Sequence, residues 1–111
     1  MSFRLDARPD LRDNFAEVID HQYALTLAPL AKSLKNPVVR FEEVEDSGVT
    51  RYRCVFAART GGEAMELTSE HQDARIAIGD TFSRARRAVS RRRGRLADPY
   101  ANRTAPTSQL R

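Results

Sequence analysis

TRYRCVFAARTGGEAMELT, residues 50–68, decides the fold. Over its first ten residues the side chains alternate. Tyr52, Cys54, Phe56 and Ala58 fall on one face, and Arg51, Arg53, Val55, Ala57 and Arg59 fall on the other. A period of two marks a half-buried strand. Gly61-Gly62 follows, a pair that accepts the positive φ angles of a tight hairpin turn. EAMELT, residues 63–68, then returns as a second strand with Met65 and Leu67 on the apolar side. The stretch is a β-hairpin with one apolar face that other elements must cover.

Upstream, VVRFEEVE at 38–45 reads as another strand, with Val39 and Phe41 on one face and Asp46-Ser47-Gly48 as its turn. SFRLD at 2–6 reads as a very short first strand, ended by Pro9. Between them Leu11, Phe15, Val18, Ile19, Tyr23, Leu27, Leu30 and Leu34 recur at helical spacing. That predicts a helix from about 10 to about 35, N-capped by Asp10 with Asp13 at N3. Pro29 should kink it or start a new turn, and Asn36-Pro37 should stop it. Downstream, Ser69 and Gln72 suit a capping box for a last helix from about 70 to about 95. Ala74, Ile78, Phe82, Ala85 and Val89 form its buried stripe at 100° per residue. The expected fold is α+β, in the order β-α-β-β-β-α. A mostly antiparallel four-stranded sheet would carry both helices packed on one face and leave the other bare.

Hydrophobic residues make up 41% and charged ones 31% of the 111, which fits one globular domain over 1–96. The remainder, 97–111, lacks periodicity and reads as a disordered C-terminal tail. No apolar run approaches the ~18 residues that span a membrane. MSFRLDARPD has no apolar core of a signal peptide. Cys54 is the only cysteine, so no intramolecular disulfide can form. These features predict a cytoplasmic protein.

The net charge of +4 is unevenly placed. Residues 1–50 hold six Lys/Arg against nine Asp/Glu, a net of −3; residues 51–111 hold thirteen Arg against six Asp/Glu, a net of +7. RARRAVSRRRGR, residues 84–95, packs seven arginines into twelve positions without one acid. A basic surface of this density seeks a polyanion. Arg84, Arg87, Arg91 and Arg95 fall within about 80° of one another on a helix, away from the apolar stripe. Like charges at i,i+4 repel, so a helix that carries them suits phosphate counter-charges. Arg75, Arg86 and Arg93 line one flank of that face, and Arg92 belongs to the same run. The bland alternative is a solvated helix end.

Catalytic signatures are missing. Cys54 lies in phase with Tyr52 and Phe56 and reads as core. His21 and His71 have no partner at metal or triad spacing. Gly61-Gly62 lacks the flanking residues of a phosphate loop. Neither an enzyme activity, a metal, a cofactor nor a small-molecule substrate is expected.

From Val38 to about Arg92 the chain resembles the short ribosome hibernation-promoting factors, also called ribosome-associated inhibitors. The resemblance rests on a strand ending in acids, the basic-aromatic step Arg51-Tyr52-Arg53-Cys54, the glycine turn, and the helix with Asp73, Ala77-Ile78 and Arg84-Ala85-Arg86-Arg87-Ala88-Val89. The short first strand and Pro29 depart from that family's pattern, and its longer members' C-terminal dimerisation domain has no counterpart here.

The resemblance implies a bacterial protein that binds the small ribosomal subunit through ribosomal RNA, in the channel for messenger and transfer RNA. It would act as a monomer in the stress response, silencing translation when growth stops. Carried over by position, the RNA contacts are Arg84, Arg87, Arg91, Arg95, Arg51 and Arg53, with Arg75, Arg86, Arg92 and Arg93 secondary. Folded RNA is recognised largely by shape and backbone, which a rigid arginine face can supply. The alternative within the same chemistry is a structured-RNA or nonspecific nucleic-acid module outside the ribosome. A membrane-surface helix fits less well, because its apolar stripe is thin and is needed by the sheet.

Overall fold

In the computed structural model the backbone is described for residues 2–97 and side chains for residues 2–92. The hairpin read from the sequence is present as β3 (Val49–Thr60) and β4 (Glu63–His71). Gly61 and Gly62 sit at φ 62° and 81°, the left-handed region that lets a two-residue turn match strand twist. β2 (Lys35–Asp46) pairs antiparallel to β3, and β1 (Arg4–Asp6) pairs parallel to β2, giving the sheet order β1-β2-β3-β4. With α1 (Pro9–Thr26) and α2 (Ala74–Ala97) the order is β-α-β-β-β-α, an α+β fold.

Both helices cover the sheet face that carries Val39, Phe41, Cys54, Phe56 and Met65. From α2, Ala74, Ala77, Ile78, Phe82, Ala85 and Val89 are all buried, so the stripe read at 100° per residue faces the sheet. Ile19, Tyr23 and Leu27 of the first helical segment close the core. Burying one such large side chain contributes about 1.5–3 kcal/mol. Aromatic rings knit the layers together. Phe15 of α1 meets Phe41 edge-on at 5.2 Å, Phe41 stacks on Tyr52 at 5.8 Å, and Tyr23 meets Phe82 edge-on at 6.3 Å. Polar ties add to this: Arg12 Nη2 donates to Leu5 O at 2.6 Å and fixes α1 against β1.

Four local expectations are corrected. The first helix ends at Thr26, and a 3-10 helix, Ala28–Ser33, carries the chain onward. Pro29 therefore starts a new turn, because its ring clashes with a continuing α-helix. Asn36-Pro37 lies inside β2, with Asn36 at φ 53° in an irregularity of the β2–β3 ladder. Asp10 is not the N-cap: Arg8 holds that position, Pro9 takes the first helical place, and Asp10 sits in the first turn. Nor does Ser69 cap α2. It stays in β4, and α2 begins four residues after the expected start. There Asp73 Oδ1 accepts from the Arg75 N–H at 2.9 Å, as an N-cap does. The expected tail beyond Ala97 lies outside the described residues.

Candidate nucleic-acid interface

α2 runs antiparallel to β4, and this sets what its arginines can reach. Arg84 comes alongside β4. Its Nη1 donates to Thr68 O at 2.9 Å and to Ser69 Oγ at 3.1 Å, and lies 3.8 Å from Asp80 Oδ2. Ser69 in turn donates to Asp80 at 2.6 Å. Arg84 therefore ties the helix to the edge strand, while its side chain stays 41% exposed. Its head satisfies a carbonyl of the edge strand.

Arg87 and Arg91 are exposed and form no ion pair with an acid among the described residues. Arg86 is exposed beside them, and Arg75 is exposed at the start of the helix. Arg92 is half-buried, with Nη1 3.8 Å from Glu63 Oε1. That separation exceeds a hydrogen bond, and the same Nη1 is buried without a hydrogen-bond partner. The side chains of Arg93 and Arg95 lie outside the described residues.

Arg51 and Arg53 sit elsewhere. β3 alternates, so the strand that turns Cys54 and Phe56 toward the helices turns Arg51 and Arg53 to the bare face. The sheet thus separates them from the exposed face of α2. They are also partly neutralised. Arg53 lies opposite Glu42 on β2 and opposite Glu70 on β4. Its guanidinium reaches Glu70 at 2.7 Å and Glu42 at 3.0 Å, and these partners raise its pKa, Glu70 more than Glu42. Arg51 lies 3.7 Å from Glu70. Glu70 is the residue that sequence reasoning missed, since cross-strand pairing depends on register.

Charge is sorted along the strands. Glu45 and Asp46 flank the β2–β3 turn, and in the same half of the sheet Arg8 bridges Asp10 at 3.0 Å and Glu43 at 2.8 Å. The Arg8 guanidinium holds the Asp10 carboxyl below the usual range. At the opposite end, around Gly61-Gly62, the arginine-rich half of α2 arrives beside β4, as the Arg92–Glu63 approach records. The exposed basic surface is therefore one end of the molecule and the outer side of α2.

Among the described residues no cluster of three His, Cys, Asp or Glu could hold a metal. Burial pushes the Cys54 thiol up to about 12, far from a reactive thiolate. No described helix is long and apolar enough to cross a membrane.

No family model matches the chain, and no curated protein matches it significantly. Solved structures do. A ribosomal subunit interface protein from Coxiella burnetii superposes with a TM-score of 0.62 at 11% identity, covering 83% of this chain and 97% of that one. The N-terminal domain of Protein Y from Thermus thermophilus superposes with a TM-score of 0.56 at 15% identity, covering 80% of this chain and 94% of that one. The chain shares their fold.

Proposed function

We propose that the protein is a ribosome-associated translation inhibitor of the hibernation type. It binds the small ribosomal subunit through ribosomal RNA phosphates and occupies the channel used by messenger and transfer RNA. The observation that carries this reading is the pairing of two features. The fold is that of a ribosomal subunit interface protein, and its last helix presents exposed Arg86, Arg87 and Arg91 without acid partners among the described residues.

The physics supports the pairing. A helix anchored by Arg84 and a buried stripe cannot bend to suit a sequence, so it reads backbone shape. Unpaired arginines on a rigid helix offer planar forks to phosphate oxygens at little further ordering cost. Arg87 and Arg91 are the primary contacts in this reading, with Arg86 beside them. Arg51 and Arg53 contribute less, because Glu42 and Glu70 already engage them. Its place of action is the cytoplasm, with the ribosome as partner.

Sedimentation through a sucrose gradient tests the proposal. Purified protein is mixed with separated small and large subunits, with protein-free structured RNA, or with anionic vesicles. Co-migration with small subunits, together with inhibition of translation in an extract, is the expected result. Migration with free RNA and not with subunits would favour a structured-RNA module outside the ribosome. Migration with vesicles alone would overturn the proposal.

A further inference from the structure

Apart from the exposed side of α2, three cations converge on one cavity. Lys32 lies in the last turn of the 3-10 helix, Lys35 opens β2, and Arg59 lies near the end of β3. With Ser33, Thr60 and the Gly61-Gly62 turn they line a pocket of about 300 Å³, at the small end of ligand sites. None of the three cations forms an ion pair with an acid among the described residues.

The ladder makes this arrangement costly. Lys35 and Arg59 are cross-strand partners, and like charges directly opposite one another destabilise a sheet. Arg59 is also held in place, since its Nη2 donates to Gly62 O at 2.7 Å. Thr60 borders the pocket from the covered side of the sheet. It is 2% exposed, and its Oγ1 is buried with no hydrogen-bond partner. The pocket stands at the same end of the sheet as the arginine-rich half of α2, which reaches Glu63 through Arg92.

We infer that this pocket is a phosphate-binding subsite. Lys32, Lys35 and Arg59 neutralise the anion at the mouth formed by the Gly61-Gly62 turn. The phosphate comes either from an RNA backbone that continues past α2 or from a free phosphorylated small molecule. Only the RNA source rests on the function proposed above.

The test follows amide chemical shifts of ¹⁵N-labelled protein as pyrophosphate is added, against a chloride series of equal ionic strength. Wild type should show saturating shifts at Thr60, Gly61 and Gly62. The exposed-site variant Lys32→Gln/Lys35→Gln should lose them while its remaining amides overlay those of wild type. If the double variant is disordered, Lys35→Gln alone takes its place. A second arm measures the salt dependence of small-subunit binding. A log-log slope shallower by about 1.5–2 in the double variant identifies an RNA phosphate as the source. An unchanged slope with intact pyrophosphate shifts identifies a free phosphorylated ligand. Absent or non-saturating pyrophosphate shifts in wild type overturn the subsite, even if the slope changes. Should wild type fail to bind subunits at all, the proposed function falls and the pyrophosphate arm still decides the pocket.

Discussion

At the scale of single residues, arginines of one helix divide by what they touch. Arg84 is tied to Thr68 O, Ser69 Oγ and Asp80. Arg87 and Arg91 touch no acid among the described residues. Arg84→Gln should therefore lower stability by about 0.5–1.5 kcal/mol, a figure reduced because the group is partly exposed. Arg87→Gln/Arg91→Gln should leave the melting temperature unchanged and weaken RNA binding. Thermal melts alongside binding at fixed salt separate the two effects. Cys54 makes a different prediction. Its thiol is fully buried and ionises at about 12 in place of the ordinary 9.0. Above pH 9 the unfolded chain releases a proton that the folded chain keeps. The thiol's contribution is whole below that pH and erodes as the pH rises toward 12. Wild type should lose stability relative to Cys54→Ala between pH 9 and 11, and native Cys54 should resist thiol reagents at pH 8. Equal pH profiles for the two proteins would contradict the burial argument.

At the scale of elements, turns and caps carry the testable content. Ser47 occupies the β2–β3 turn at φ 54°, beside Gly48 at 79°. A left-handed angle costs a residue with a side chain, so Ser47→Gly should stabilise the fold by about 0.5 kcal/mol. Asp73→Ala should cost about 0.5–2 kcal/mol by removing the cap of α2; urea unfolding measures both. These positions also show what was legible in the sequence. The hairpin was, because its period of two and its glycine pair agree. The buried stripe of α2 was, because five apolar residues keep helical phase. The start of α2 was not, since Ser69 and Asp73 are both good caps. Met65, Leu67 and Ser69 continue the strand's inward face, and only packing against Asp80 and Arg84 shows that Ser69 belongs to it. The end of α1 was hidden for a related reason. Leu27, Leu30 and Leu34 keep nearly the same spacing through a 3-10 turn as through an α-helix. The pairing of Arg53 with Glu42 and Glu70 was beyond reach, because it depends on strand register.

At the scale of the whole molecule, the antiparallel strands sort the charge. β2 runs from Lys35 to Asp46, and β3 returns from Val49 to Thr60. Glu45 and Asp46 flank one turn, and Lys35, Arg59 and the arginine-rich half of α2 lie toward the other, beside Glu63. Such a molecule enters a field of phosphates basic end first. Its acidic end should be indifferent, so Glu43→Gln/Glu45→Gln should change small-subunit binding by less than about threefold, a few tenths of a kcal/mol. The central claim is that phosphate contacts dominate binding to the small subunit. Its most direct test is the affinity of wild-type protein for purified small subunits as salt is raised. About four contacted phosphates predict a log-log slope of about −3 to −4, shallower by about 1.5–2 in Arg87→Gln/Arg91→Gln. An affinity that does not change with salt, or a slope that the double variant leaves unaltered, would contradict the claim.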